Sequence, residues 1–169
     1  MVIIVTGAIG VGKTTVCEKV VNLLQSLDYS CGGVLTYKAP DESLTIFDIQ
    51  TGEKKALAST VKIYHGPHTE KYFFNTEAIN FGIKAIDKGA ASDVLIVDEV
   101  GYLELGGEGF VNSLELIREG RVRNSILVIR IELLSAFLAQ LGGKPTVFET
   151  TTSTRNQLPR KICSCLIGN

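Results

Sequence analysis

Apolar residues first appear in short continuous runs that have the length of buried strands. The runs cover residues 2–5, 94–97 and 126–129, and a fourth, mixed run covers residues 146–149. Continuous apolar runs of this length are typical of strands that are covered on both faces, as in parallel sheets. We therefore predict strands at these four places, the first of them extending to Thr6.

Between these strands, apolar residues recur every three or four positions, which is the spacing of one helix face. The pattern predicts helices over residues 14–28, 76–89, 110–120, 134–142 and 156–166. Asn75 or Thr76 is the expected cap of the second helix, and Pro159 falls in the first turn of the last one. Strands that alternate with helices favour an α/β fold, a three-layer sandwich around a mostly parallel, doubly wound sheet.

The pattern differs over residues 31–60. Strand-like runs at 33–38, 44–50 and 54–58 are separated by turn residues at 39–43 and 51–53. Antiparallel strands joined by short polar turns have this appearance, so we predict a small antiparallel β-meander inserted beside the parallel sheet. Residues 59–74 show no clear pattern, and their aromatic residues are expected to cover an edge of the core or a ligand. We expect one domain over 1–169.

Composition and charge narrow the range of partners. The chain has 169 residues, is 45% hydrophobic and carries a net charge of −1. A chain without a basic surplus is not expected to bind nucleic acid. The apolar run at 2–5 is too short for a signal peptide or a membrane span. We therefore expect a cytoplasmic protein, a monomer, with no nucleic-acid or membrane partner.

A glycine-rich stretch joins the first strand to the first helix. It reads Gly7-Ala8-Ile9-Gly10-Val11-Gly12-Lys13-Thr14-Thr15, and its spacing G-x-x-x-x-G-K-T is that of a phosphate-binding loop (P-loop). Glycines let successive backbone N–H groups point inward and hold anionic oxygens, and the helix adds its positive end. Lys13 is expected to reach the β- and γ-phosphates, Thr14 to ligate Mg²⁺ and Thr15 to contact the α-phosphate. The alternative is a glycine-rich turn with a solvated lysine.

Two adjacent acids, Asp98 and Glu99, end the strand at 94–97. An apolar strand that ends in Asp is the expected partner of a phosphate-binding loop, and we predict that Asp98 holds Mg²⁺, through water. Glu99 points a different way and is predicted to polarise a water molecule for attack on the γ-phosphate. A solvated or salt-bridged loop residue is the alternative for Glu99. Glu104 is a weaker candidate, either a surface acid or a group that fixes the loop.

All six arginines lie after residue 117. Arg130 ends one strand and Arg155 follows another, so both are candidates for stabilising the transition state, and Arg155 with Asn156 for contacting the base. A surface arginine and a capping asparagine are the respective alternatives. A nucleoside monophosphate kinase needs cations for a second phosphate, often arginines between the P-loop and the Asp-ended strand. The lack of any arginine there favours hydrolysis over that kinase reaction.

Several motifs resemble those of the THEP1 family of nucleoside-triphosphatases. Residues 98–105, Asp-Glu-Val-Gly-Tyr-Leu-Glu-Leu, are similar to the family's D-E-[IV]-G-x-x-E-L signature. Residues 32–36 resemble G-G-F-x-T, residues 47–58 resemble the family's meander, and residues 151–159 resemble T-x-x-N-R-N-x-L-P. The resemblance therefore spans nearly the whole chain in the right order.

This resemblance implies a P-loop NTPase fold and Mg²⁺-dependent hydrolysis of ATP, GTP and other nucleoside triphosphates, slow and with loose choice of base. Gly12, Lys13, Thr14, Asp98 and Glu99 keep the family's expected roles by position. The chain departs from the family after residue 36, where an acid and an arginine are usual. A nucleotide or nucleoside kinase, and a nucleotide-dependent switch or adapter protein, are the alternative functions.

Overall fold

An eight-stranded sheet runs through the protein, with helices against both faces. The computed structural model describes residues 1–168. The strands are β1 (Val2–Gly7), β2 (Cys31–Lys38), β3 (Leu44–Asp48), β4 (Lys54–Ser59), β5 (Phe73–Phe74), β6 (Val94–Val100), β7 (Ser125–Arg130) and β8 (Thr146–Glu149). The helices are α1 (Lys13–Gln25), α2 (Thr76–Gly89), α3 (Tyr102–Leu105), α4 (Val111–Arg118), α5 (Leu134–Leu141) and α6 (Leu158–Ile167), with a 3-10 turn at Ile131–Leu133.

The strand order is β5-β4-β3-β2-β6-β7-β1-β8. The five strands β2, β6, β7, β1 and β8 run parallel, whereas β3, β4 and β5 are antiparallel to their neighbours. Because β7 lies between β1 and β6, the carboxyl ends of these three strands form one continuous edge. Ligands of open parallel sheets bind at such an edge.

Successive residues of β1 enter two separate cores, as expected for a strand covered on both faces. Ile3 and Val5 pack in one core with side chains of α1 and α6, and Ile4 packs in the other with side chains of α2, α4 and α5. All three residues are fully buried. The predicted three-layer α/β architecture is therefore confirmed.

The predicted antiparallel meander is present, and it continues the main sheet at one edge. Its first strand, β2, pairs in parallel with β6 on one side and antiparallel with β3 on the other. Two glycines make this placement possible, because a Cβ on Gly32 would lie 2.5 Å from the Cα of Gly89 in α2. Close contact between backbones of this kind requires residues without side chains.

Most predicted elements are present, and the differences lie at their ends. The strand predicted over residues 44–50 stops at Asp48. The Asp48 carboxylate accepts a hydrogen bond from the Gln50 N–H at 2.9 Å, and this contact starts a turn. The last helix begins at Leu158, two residues later than predicted, with Pro159 in its first turn. Asn75 caps α2 through its side chain. Among residues 1–168, no helix is long and apolar enough to cross a membrane.

Candidate active site

Three neighbouring strand ends bring the predicted site residues together. The P-loop follows β1, Arg130 ends β7, and Asp98 and Glu99 lie at the end of β6. Lys13 at the start of α1 interacts electrostatically with both acids and with Arg130. The sheet therefore assembles in one place residues from three separate segments of the chain.

The P-loop has a backbone shape that only glycine adopts readily. Gly7, Gly10 and Gly12 have φ angles of +144°, +76° and +103°, in a region that is unfavourable for other residues. Gly7 is constrained further, since a Cβ at this position would lie 2.5 Å from the carbonyl oxygen of Thr150. The glycine spacing of the motif is thus required by the fold of the loop itself, independently of any ligand.

Lys13 curls back over this loop. Its Nζ donates hydrogen bonds to the carbonyl oxygens of Gly7, at 2.9 Å, and Ala8, at 2.8 Å. Burial lowers the pKa of Lys13, while the negative charges of Glu99 and Asp98 act in the opposite direction. The ammonium group is therefore held at the loop by neutral carbonyls, and a phosphate group would offer it a stronger, charged acceptor.

Asp98 is a fully buried carboxylate whose hydrogen bonds are incomplete. Its Oδ2 accepts the Thr36 N–H at 3.2 Å, whereas its Oδ1 has no hydrogen-bond partner among the described residues. Burial, with a smaller contribution from Glu99, raises the pKa of Asp98 to about 7, and a hydrogen bond from the Thr14 side chain opposes the rise. A buried carboxylate oxygen without a partner beside a threonine hydroxyl fits a hard divalent cation, which takes oxygen ligands.

We expect the stability of the metal-free protein to fall with rising pH because of Asp98. A carboxyl whose folded-state pKa lies above its ordinary value of 3.8, here about 7, stabilises the fold fully below about pH 4. That contribution is lost as the pH rises through the folded-state pKa. Between about pH 5 and pH 8, native protein should lose on the order of 2 kcal/mol of unfolding free energy that Asp98→Asn does not lose.

Urea unfolding with a chelator present, at both pH values, measures this difference. Asp28→Asn is the matched control, because it removes an exposed carboxylate from a left-handed position that asparagine adopts well. If the free energy of unfolding of native protein and of Asp98→Asn shows the same pH dependence, the raised pKa assigned to Asp98 is wrong.

Glu99 occupies a bulge at the end of β6. The pairing of β6 with β7 shifts between Val97 and Val100, and Glu99 has a φ of +65°, a left-handed value that is uncommon for a residue with a side chain. Strained residues of this kind cluster at functional sites. The Glu99 carboxylate faces the Arg130 guanidinium with an Oε2–Nη2 distance of 3.4 Å. This arrangement matches the salt-bridged alternative and also keeps Glu99 beside the P-loop lysine.

Glu104 fixes the loop that follows Glu99. Its two carboxylate oxygens accept the backbone N–H groups of Gly101, at 2.7 Å, and Phe110, at 2.8 Å. Burial raises the pKa of Glu104 even though these hydrogen bonds oppose the rise. Gly109 must be glycine here, because a Cβ would lie 2.2 Å from a Glu104 oxygen. Of the two possibilities left by the sequence, the structure therefore supports a loop-fixing group over a surface acid.

Arg155 and Asn156 lie on another side of the P-loop. Together with Gly12, Thr15 and Lys19, they line a pocket of about 210 Å³ at the start of α1. The two arginine candidates are therefore separated: Arg130 lies with Glu99, and Arg155 lies against the loop and the first turn of the helix. Contact of Arg155 and Asn156 with a base stays a prediction.

A larger cavity, which we call the Glu99 cavity, opens on the other side of Glu99. Its volume is about 620 Å³. Glu99, Arg130 and Ile9 of the P-loop line it, together with aromatic side chains that include Tyr72, Phe74 and Phe110. Sequence patterns did not reveal it, because the segments that build it lie around residues 70 and 105 and meet only in the fold. The hydrogen bond from the Thr36 N–H to Asp98 was also not predicted. Every residue except proline has a backbone N–H, so the residue type does not reveal such a donor.

Comparisons with known proteins match nucleoside-triphosphatases over nearly the whole chain. A sequence model of the family described as NTPase matches residues 2–163. The nucleoside-triphosphatase THEP1 of Methanosarcina acetivorans is 32% identical over 169 residues, covering 95% of this chain and 93% of that protein. The protein of the same name from Thermotoga maritima is 31% identical and covers 100% of this chain and 97% of that protein.

Two solved structures have the same fold. The crystal structure of THEP1 from Aquifex aeolicus has a TM-score of 0.77 at 24% identity, over 99% of each chain. The solution structure of a human cancer-related nucleoside triphosphatase has a TM-score of 0.75 at 19% identity, over 99% of this chain and 97% of that chain. With the P-loop, Asp98 and Glu99 in one site and a family match over nearly the whole length, the chain belongs to the NTPase family.

Proposed function

We propose that the protein hydrolyses ATP, GTP and other nucleoside triphosphates to the nucleoside diphosphate and phosphate, in a slow reaction that depends on Mg²⁺. The observation that carries the proposal is the meeting of Lys13, Asp98, Glu99 and Arg130 where the carboxyl ends of β1, β7 and β6 lie side by side. Family membership makes the chain a nucleoside-triphosphate hydrolase. The metal, the rate and the choice of base are what the proposal adds.

Each residue has a distinct part in the proposed reaction. The backbone N–H groups of residues 7–15 hold the phosphates, and Lys13 moves from the Gly7 and Ala8 carbonyls to the γ-phosphate oxygens. Glu99 orients the attacking water and takes its proton. Thr14 and Asp98 would hold Mg²⁺, which neutralises charge on the β- and γ-phosphates when bound.

The ion pair between Glu99 and Arg130 supports slow turnover. An arginine that contacts the transferring phosphoryl group raises the rate about a thousandfold or more. Arg130 instead faces the Glu99 carboxylate in this structure. Both groups must therefore be reoriented before Arg130 can contact phosphate. We propose Arg130 as the transition-state arginine on this ground, because Arg155 lines a different pocket.

Loose choice of base is supported by the size of the pocket near Arg155. Its volume of about 210 Å³ lies below the range of roughly 300–1,000 Å³ that encloses most small ligands. A pocket of this size encloses only part of a nucleotide, so we expect few contacts that distinguish adenine from guanine. The net charge of −1 supports a small-molecule substrate over nucleic acid, and we extend the proposal to a cytoplasmic monomer.

A phosphate-release assay with ATP, GTP, CTP and UTP tests the proposal. We expect kcat/KM values within about tenfold of one another, since a pocket without base-specific hydrogen bonds discriminates weakly. Release should require Mg²⁺ and stop when a chelator is added. A single strongly preferred nucleotide would contradict the broad specificity, and full activity in the chelator would contradict the metal requirement.

A further inference from the structure

The Glu99 cavity is a second ligand-sized space next to the proposed site of the γ-phosphate. Its volume of about 620 Å³ lies in the middle of the range for small-molecule sites. Glu99 and Ile9 of the P-loop both line it, so it is continuous with the proposed hydrolytic centre. Water alone does not require a cavity of this size.

The charges around the cavity are unsuited to a phosphorylated ligand. Four further acids line it in addition to Glu99: Glu70, Glu104, Glu108 and Glu132. The lining lysine and arginine are already paired within the protein: Arg130 with Glu99 at 3.4 Å, and Lys71 with Glu42 at 3.0 Å. A phosphate monoester entering the cavity would meet several carboxylates and no unpaired lysine or arginine among the described lining residues, which is unfavourable.

The walls suit an aromatic ring. Tyr72 and Phe110 are buried with at most 6% of their surface exposed, and Phe74 makes an edge-on contact with Tyr72, with ring centroids 6.2 Å apart. Aromatic side chains bind planar rings by stacking and edge contacts. The cavity therefore combines aromatic walls, an acidic rim and Glu99, a carboxylate able to accept a proton.

We propose that the Glu99 cavity binds an aromatic or heteroaromatic alcohol without a phosphate group, nucleosides included, and that the protein transfers the γ-phosphoryl group to its hydroxyl. This inference rests on the proposed binding of the triphosphate in the P-loop. It adds a phosphotransferase activity in which water is the acceptor only when the cavity holds no alcohol.

The transfer uses the same groups as hydrolysis. The hydroxyl oxygen of the alcohol forms a bond to the γ-phosphorus, and the bond from the γ-phosphorus to the β,γ-bridging oxygen breaks. The electron pair of that bond stays on the nucleoside diphosphate, and the hydroxyl proton passes to Glu99. The products are a phosphate monoester and a nucleoside diphosphate. The acidic rim would then disfavour retention of the new monoester.

Incubation of the full-length protein with Mg²⁺ and ATP labelled at the γ-phosphate tests the proposal. Adenosine, cytidine and pyridoxine are the unphosphorylated probes, and AMP is the phosphorylated counterpart. We expect a labelled ester with at least one of the three probes, less labelled free phosphate in its presence, and no transfer to AMP. Free phosphate as the sole labelled product with every probe, or transfer to AMP alone, would overturn the proposal.

Variants of two adjacent aromatic residues separate acceptor binding from hydrolysis. Phe74→Ala should raise the KM for the accepted alcohol about tenfold, because one stacking wall is lost, and leave hydrolysis without acceptor within about twofold. Phe73→Ala is the matched control: Phe73 is the other residue of β5 and does not itself line the cavity, which it reaches only through its stacking on the lining His68. Equal effects of both variants on acceptor KM would overturn the site assignment.

A charge reversal on the rim gives an independent check if Phe74→Ala weakens the fold. Glu70 and Glu108 are exposed, so Glu70→Lys combined with Glu108→Lys should fold and should allow AMP to inhibit or accept transfer. No change in the response to AMP would contradict the charge argument. If native protein does not hydrolyse ATP in the absence of any alcohol, the proposed function is contradicted. Failure of the proposed function is therefore distinguishable from failure of the acceptor proposal.

Discussion

Replacing Glu99 by glutamine should lower kcat for hydrolysis of ATP about 10²- to 10⁴-fold, the usual contribution of a positioned general base. Glutamine has nearly the same shape but cannot take the proton of the attacking water. KM for ATP should change by less than about threefold, because no contact of Glu99 with the proposed triphosphate position is needed for binding. Steady-state phosphate release and nucleotide binding, measured on the same protein, give the two quantities.

Glu132→Gln is the control for this variant. Glu132 lines the same cavity and acts electrostatically on Lys13, but it is exposed and forms no ion pair with Arg130 among the described contacts. It therefore matches the loss of a nearby negative charge without the loss of the proposed base. If Glu99→Gln and Glu132→Gln have equally small effects, Glu99 is only the ion-pair partner of Arg130.

Replacing Lys13 by alanine should lower kcat/KM for ATP by about 10²- to 10³-fold or more, the cost of removing one preorganised donor to developing charge. The protein should remain folded. Burial already disfavours the charged form of Lys13 and lowers its pKa, so the fold gains little from this ammonium group. The losses are its charge-assisted hydrogen bonds to the carbonyls of Gly7 and Ala8, each worth about 1.5–3 kcal/mol, and they are offset by the desolvation that the buried ammonium group no longer requires.

Nucleotide titration, phosphate release and thermal unfolding of Lys13→Ala distinguish a defect in the site from a defect in the fold. Lys88→Ala, an exposed lysine in the last turn of α2 far along the chain from the P-loop, is the control. A folded Lys13→Ala protein with nearly native kcat/KM would show that the triphosphate does not lie where the P-loop predicts. An unfolded variant would make Lys13 a structural residue.

The elements that sequence patterns predicted are those whose signal is local. A strand such as β6 is a continuous apolar run, and a helix such as α2 repeats its apolar face every turn, so each can be recognised without its neighbours. The two-residue strand β5 and the one-turn helix α3 were not predicted, because they are too short to show a period. α3 is instead stabilised by the Glu104 side chain, which accepts the Gly101 N–H.

The P-loop could be predicted for a related reason. Its chemistry comes from consecutive residues, and its glycines must adopt positive φ wherever the loop occurs. Asp98 and Glu99 were found because they directly follow a clear strand. The sequence by itself thus determined the fold class, indicated the two halves of the candidate site and, through the resemblance to a family, gave the class of reaction.

Only the tertiary structure decided how those halves meet. The position of β7 between β1 and β6 brings Arg130 to Glu99, and no local pattern contains the order of strands in a sheet. The same holds for the bulge that gives Glu99 its left-handed backbone and for the Glu99 cavity. Each depends on contacts between residues far apart in the chain, which form because burial of the two apolar cores fixes how the strands and helices pack.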